Sequence, residues 1–411
     1  MSERRRFGIV LSGGGARGAY EVGVLAWLLE ELPRRLGRPP RIDVFTGTSV
    51  GAIHACWLAA SLDEPDAGPR LEAIWRSLEV AGVYRMGLRD LLAIPRRALG
   101  LGSAEPTPRT DRLSGILDTR PLERLVRETV AWDRLRTRVA CGDVEAVAVA
   151  ATEIATGRSV VWVDRREPTT PVWPNDPFVV ARPAALTPEH ALASAAIPFL
   201  FPALRVDGEF FCDGGLRLNT PLAPALRLGC DRLLVIGLRH VPTPAEDAAL
   251  AAARTANYAS LTYLTGKMLN ALLLDRIDYD VDRLQLTNAV LEAGVRTYGA
   301  GFLAHVNETV ERVRGAPYRV VDTVYLRPSQ DLGVLAAECY AHKERPESLR
   351  AWISDAVLRY AVQGLVAEAD LLSYLLFDGC YASHLITLGR ADAARRADEL
   401  VALFADQAPP P

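Results

Sequence analysis

The sequence predicts an α/β fold: three layers, α/β/α, around a mostly parallel central sheet, with a mainly helical C-terminal extension. Three observations predict it. Apolar strand patterns alternate with helical ones from the start of the chain, at 7–12, 18–32, 42–46 and 50–61, and strands separated by helices pair in parallel. Both of the first strand-to-helix junctions are rich in glycine, Gly13-Gly14-Gly15-Ala16-Arg17-Gly18 and Gly47-Thr48-Ser49-Val50-Gly51. Far downstream, the apolar runs 231–237 and 321–326 read as two more buried strands, separated by helical chain from about 245 to 315.

Taken in order, Phe7-Gly8-Ile9-Val10-Leu11-Ser12 carries no charge, as suits a strand covered on both faces. Tyr20, Val24, Leu25, Leu28 and Leu32 then recur at helical spacing. The second strand and helix follow at 42–46 and 50–61. A turn-forming stretch with Asp63, Pro65, Asp66, Gly68 and Pro69 leads into a helix near 70–79. Residues 95–111 read as an irregular loop and 121–129 as a helix. Strands at 144–152 and 158–163 meet at Ala155-Thr156-Gly157. Proline-bearing residues 165–188 read as a long loop or edge. A helix at 188–196 ends before Pro198, and strand residues 204–212 run into Asp213. Helical pattern resumes over 346–378 and 391–405, and 406–411, ending in three prolines, read as a disordered tail. No internal repeat is present. The division expected is a motif-bearing part over 7–226 and an α-rich part over 227–405 that completes the sheet and packs on the first.

Composition excludes several classes. With 411 residues, 49% of them hydrophobic, the chain can bury a large core. A net charge of −3 gives no field that would favour nucleic acid. Six cysteines (56, 141, 212, 230, 339 and 380) are scattered without metal-type spacing and read as reduced core residues, with no metal and no cofactor expected. The charged start, Ser2-Glu3-Arg4-Arg5-Arg6, leads into an apolar run that breaks at Gly13, unlike a signal peptide. No stretch reaches the roughly 18 apolar residues of a spanning helix. A cytoplasmic protein that approaches the inner membrane surface from the aqueous side is the expectation.

Three motifs carry chemistry. A Gly-x-Ser-x-Gly between a strand and a helix is the nucleophile-elbow pattern: the turn is sharp enough that only residues without Cβ fit beside the serine, and the helix start offers free N–H groups to a developing anion. A tight turn with a solvated serine is the plainer alternative. Three consecutive glycines after the first strand let backbone N–H groups converge, as an oxyanion site needs. The same letters fit a dinucleotide fingerprint, but that fold ends its second strand in a ribose-binding carboxylate. Here the second strand ends in Thr46-Gly47-Thr48-Ser49, and Asp43 lies near its beginning. Asp213-Gly214-Gly215 presents a carboxylate at a strand end, although Asp-Gly is also an ordinary turn dipeptide.

In this order and at these separations the three motifs resemble the patatin-like phospholipases, and 191–202 (Ala191-Leu192-Ala193-Ser194-Ala195-Ala196-Ile197-Pro198-Phe199-Leu200-Phe201-Pro202) is similar to that family's approach to its aspartate. The resemblance covers roughly residues 7 to 226 and implies a patatin-like fold and a Ser–Asp dyad. Ser49 would be the nucleophile and Asp213 the general base. Gly13, Gly14, Gly15, Ala16 and Val50 would supply the oxyanion hole, with Gly18, Gly47, Gly51, Gly214 and Gly215 as motif glycines. Arg17 would support the loop, since an arginine beside the base carboxylate would blunt it. The implied reaction is hydrolysis of phospholipid or lysophospholipid esters through an acyl-enzyme, with peripheral membrane contact and no nucleic acid. Acyl transfer by the same dyad, gating by a signal or partner, and a homo-oligomer stay open.

A Ser-His-Asp triad, or a general α/β-hydrolase, is the competing reading. Of the six histidines (54, 190, 240, 305, 342 and 384), His54 is more than one turn past Ser49 and should point away from it. His190 is placed to approach. Phe199, Leu200 and Phe201 read equally as acyl-channel lining or as core. Residues 83–101, with Leu88, Leu91, Leu92, Ile94 and Leu99 beside Arg85, Arg89, Arg96 and Arg97, read either as a lid on the core or as a bilayer-facing surface.

Overall fold

The computed structural model describes residues 5–85, 115, 117–167, 173, 179–248, 277–342 and 370–405. Among them, nine strands form one mixed sheet. The order is β5 (Val179–Pro183), β4 (Ser159–Arg165), β3 (Ala146–Glu153), β2 (Val44–Thr48), β1 (Phe7–Leu11), β8 (Arg232–Ile236) and β9 (Asp322–Leu326), with the hairpin β6 (Leu204–Val206)–β7 (Glu209–Asp213) attached to β3. The run β3-β2-β1-β8-β9 is parallel throughout; β4 is antiparallel to β3, and β5 parallel to β4.

Side chains alternate between two cores, one on each face. Ile9, Leu11, Leu234 and Ile236 face the larger one. Val10, Leu233 and Val235 face the smaller one. Over the larger face lie α1 (Gly18–Leu36), α2 (Val50–Ser61) and, from the far end of the chain, α13 (Gly379–Arg395) and α14 (Ala397–Ala405). α1 and α13 cross so closely that a Cβ on Gly23 would lie 2.1 Å from the Ile386 carbonyl oxygen. The Tyr20 hydroxyl on α1 also donates to Asp392 on α13 at 3.0 Å. The smaller face is covered by α8 (Leu222–Arg227) and α9 (Ile277–Tyr298), from which Ile277, Val281 and Leu284 point inward.

Several expectations shift. The second strand ends at Thr48, not residue 46, so the serine leaves the strand directly. The 204–212 run is a hairpin turning at Asp207 and Gly208, both at positive φ, a geometry that matches the twist of paired strands. Within 165–188, β5 forms the sheet edge. The helices α5 (Arg120–Thr129) and α6 (Trp132–Cys141) follow one another, the second beyond the expected pattern. α13 starts at Gly379 rather than near 391. Cys56, Cys212 and Cys230 are buried, but Cys141 and Cys380 are exposed and Cys339 is only half-buried, because these three lie on surface helices. The loop 95–111, most of the arginine–leucine stretch 83–101, the stretch 346–369 and the tail 406–411 lie outside the described residues.

The sheet register places the chemistry. β2 pairs with β3 up to Thr48 opposite Ala150. β7 takes over at the next residue of β3, with Asp213 opposite Ala151. Since β4 occupies the other side of β3 throughout this stretch, β2 and β7 meet end to end. The carboxyl end of β1, where strand order departs in both directions, opens into the glycine loop beside this junction, the usual place for a site in an α/β sheet.

Candidate active site

Ser49 sits between β2 and α2 at φ 54° and ψ −125°. A non-glycine residue in this region is strained by about 1–3 kcal/mol and persists only where its surroundings fix it. A Cβ on Gly47 would lie 2.1 Å from the Gly51 carbonyl oxygen, and one on Gly51 would lie 2.5 Å from that of Leu11. The strand and helix backbones therefore touch on both sides of the serine. The Ser49 N–H donates to Ser194 Oγ at 2.8 Å, and Ser194 in turn donates to the Ala150 carbonyl at 2.5 Å. Ser194 thus ties the elbow to β3 from α7 (Pro188–Ser194).

Asp213 closes the pair. The Ser49 hydroxyl donates to Asp213 Oδ2 at 2.7 Å, and the Gly215 N–H donates to Oδ1 at 2.7 Å. The Asp213 backbone is held by its N–H to Ala196 at 2.8 Å and by the Thr152 hydroxyl, which donates to its carbonyl at 3.0 Å. Burial pushes its carboxyl from 3.8 up to about 6, against the two hydrogen bonds that favour the charged form. A buried carboxylate that titrates near neutrality and accepts from a serine hydroxyl is chemically able to take that proton.

The glycine loop lies against this pair: a Cβ on Gly13 would approach the Ser49 Cβ to 3.2 Å. Gly13 itself differs from expectation. Its N–H donates to the Asn219 carbonyl at 3.0 Å, while Asn219 Nδ2 donates back to the Gly13 carbonyl at 3.1 Å. That amide is therefore engaged as a loop anchor rather than available to an oxyanion. Arg17 is buried; Nε donates to Ser373 Oγ at 2.7 Å, and its guanidinium lies 4.1 Å from the Tyr374 ring centroid. It braces the loop against α12 (Asp370–Leu375), close to Gly15, where a Cβ would meet the Tyr374 carbonyl at 2.3 Å. The C-terminal part thus supports the loop directly.

Neither of the two nearer histidines joins the pair. His54 Nδ1 meets Glu21 Oε2 at 2.7 Å, and its Nε2 accepts from Trp75 Nε1–H at 3.1 Å, which puts the proton on Nδ1. Glu21 Oε1 accepts the Ser12 N–H at 2.7 Å; although burial pushes its carboxyl pKa up, both oxygens are used as acceptors. This buried chain anchors α1 and α2 beneath the loop. His190 caps α7 through Thr187 and packs edge-on to Trp162, and burial lowers its pKa.

From Ser49 an apolar cavity runs between Ile53, Trp57, Leu71, Leu122 and Phe377. Phe201 lines it, Leu200 packs on the core, and Phe199 is 75% exposed with φ 66°. Sequence reasoning missed the roles of Ser194, Asn219, Thr152 and the Glu21–His54 pair, although Ser194 lay inside 191–202 and His54 had been weighed as a triad base.

A cGAMP-activated phospholipase of Pseudomonas aeruginosa (strain BWHPSA011 / Pa011) is 32% identical over 216 residues, 52% of this chain and 53% of that protein. The chain thus spans about half the length of the curated relative it matches. Among solved structures, VipD from Legionella pneumophila matches with a TM-score of 0.32 and 14% identity, over 90% of this chain and 67% of that one. The family model for patatin-like phospholipase matches residues 9–226, the stretch that holds both strand-to-helix turns and the Asp-Gly-Gly turn, and the chain belongs to that family.

Proposed function

We propose that this chain is a lipid acyl hydrolase of the phospholipase A or lysophospholipase type. The observation that carries the reading is the 2.7 Å hydrogen bond from Ser49 to a buried Asp213 at the head of an apolar cavity. Ser49 Oγ attacks the ester carbonyl as Asp213 takes its proton, and the carbonyl oxygen becomes an oxyanion. The N–H groups of Gly14 and Gly15, with Ala16 and Val50 beside them, receive that charge; one such donor is worth about 3 kcal/mol. Collapse forms acyl-Ser49, and Asp213 returns its proton to the leaving alcohol. Water, deprotonated by Asp213, then releases the fatty acid and restores the serine. An acceptor alcohol in place of water would give acyl transfer. The apolar cavity suits an acyl chain, and the substrate class implies peripheral contact with a bilayer. Among the described residues, no helix is long and apolar enough to cross a membrane.

Release of fatty acid from phospholipid vesicles by the purified chain tests the reading, and its pH dependence follows from the base. Asp213 must be ionised to accept the proton, and its pKa is about 6. Activity is therefore expected to be full above pH 7 and to fall about tenfold per unit well below 6. A kcat/KM that stays flat from pH 7 down to 4.5 would rule out this base.

A second reading is favoured by the relative named as cGAMP-activated and by the bracing of Arg17 on Ser373 and Tyr374. In it, the glycine loop is productive only when a signal molecule sets the C-terminal part. Adding a cyclic dinucleotide such as cGAMP is then expected to raise kcat at least about tenfold. Equal rates with and without it would leave the plain hydrolase.

A further inference from the structure

Cys339 lies on α11 (Leu332–Ala341), while Cys380 and His384 stand one turn apart on α13. Forty residues of sequence separate the first from the other two, so no metal-type spacing is visible, yet the fold brings all three together. The Cys339 and Cys380 sulfurs are 3.7 Å apart, and His384 Nδ1 lies 3.4 Å from the first and 3.8 Å from the second. All three donor atoms fall within 4.8 Å of one another. A tetrahedral zinc-class ion holds sulfur at about 2.3 Å and imidazole nitrogen at about 2.0–2.1 Å, which sets its donors roughly 3.5–3.8 Å apart. A disulfide needs its sulfurs at about 2.05 Å, so the spacing suits an ion between the thiols better than a bond.

We propose that Cys339, Cys380 and His384 form a binding site for a soft divalent cation of the zinc class, with its fourth corner open to water. The chemistry of the set fits such an ion. Two thiolates neutralise a dication, and thiolate with imidazole selects zinc over magnesium or calcium. Cys380 and His384 are exposed, which gives the ion an entry path. On binding, both thiols release their protons to solvent. His384 Nδ1–H donates to the Cys380 carbonyl at 2.9 Å; to bind the metal, Nδ1 gives up that hydrogen bond and its proton, and the neutral ligating ring carries its proton on Nε2 instead.

The site has a structural consequence. It fastens α11 to α13, and these two helices flank the chain that carries Ser373 and Tyr374 to Arg17. A bound ion would therefore steady the support of the glycine loop without touching Ser49.

The test uses the full chain, reduced and stripped with a chelator, then titrated with Co2+ and Zn2+. One equivalent of Co2+ is expected to give thiolate-to-cobalt charge-transfer absorption and tetrahedral visible bands, which Zn2+ then displaces. Cys380→Ser and His384→Ala, both solvent-facing, should each weaken binding at least about 100-fold, more than loss of an outer partner does. Cys141→Ser, an exposed cysteine on a different helix, should bind as the unaltered chain does. Absence of a cobalt–thiolate band in the reduced chain, or a band that survives Cys380→Ser, overturns the site. So does a chain that ignores metal and instead closes a Cys339–Cys380 disulfide in air.

Discussion

Ser49→Ala and Asp213→Asn are each expected to abolish fatty-acid release, and Asp213→Asn to do so while raising thermal stability. Removing the nucleophile leaves only binding and the oxyanion donors, a loss of about 10⁴-fold or more; removing the base costs about 10²–10⁴-fold. The stability effect comes from burial. The Asp213 carboxyl titrates at about 6 in the folded protein and at about 3.9 when unfolded. Between those values the native state holds more protons than the unfolded one, so stability falls as pH rises, and the penalty is complete above about pH 6. Two units correspond to roughly 3 kcal/mol at neutral pH. Asparagine has the same shape: its Oδ1 still accepts from Gly215 and one Nδ2–H donates to Ser49 Oγ, which reverses that bond and leaves the serine proton to turn elsewhere, a cost smaller than that of the buried charge. Calorimetry should show Asp213→Asn melting above the unaltered protein at pH 7.5, with the gap narrowing to about half at pH 5. A lower melting temperature at both pH values would mean that the ionised carboxylate stabilises the fold, and that its burial is not held at a cost for chemistry.

What the sequence made legible follows the range of the interactions involved. The elbow is local: Gly47, Ser49 and Gly51 share one turn, so its letters carry the steric reason for its shape. The alternation of apolar runs likewise exposed the parallel sheet, because a strand covered on both faces cannot hide its composition. Asp213 was readable as a carboxylate at a strand end. Its meeting with Ser49 depends on β7 following β2 along the same edge of β3, a pairing no local pattern reveals. The partners of the glycine loop are further away still. Asn219 takes up the Gly13 amide from 206 residues downstream, and Ser373 holds Arg17 from 356. The Glu21–His54–Trp75 chain spans three helices, and each member alone looks like an ordinary polar residue among apolar neighbours. The grouping of Cys339 with Cys380 and His384 is illegible for the same reason, since it exists only once α11 packs beside α13.

Gly51→Ala is expected to cost a large share of stability for a single added carbon. Its Cβ would lie 2.5 Å from the Leu11 carbonyl oxygen, 2.6 Å from the Leu11 carbonyl carbon and 2.7 Å from the Ser12 carbonyl oxygen. All three are backbone atoms, and β1 is held on one side by β2 and on the other by β8, so no rotamer change can relieve the contact. α2 must instead lift from the end of β1. Overpacking of this kind costs about 1–3 kcal/mol where side chains can adjust, so at least about 3 kcal/mol is expected where only backbone can move. The same movement carries Ser49 away from the adjacent glycine loop, and a shift of about 1 Å in a reacting group costs on the order of 100-fold. Gly82→Ala is the matched control. It lies in the short helix α4 (Val80–Val83), and an added Cβ there meets nothing within 4 Å. With negative φ and open space, alanine should leave stability unchanged or raise it by about 0.4–1 kcal/mol. Urea denaturation of both variants, with fatty-acid release measured alongside, separates the two. If Gly51→Ala unfolds at the same midpoint as Gly82→Ala, the elbow glycines are not held by close backbone contact. The strain at Ser49 would then need another source.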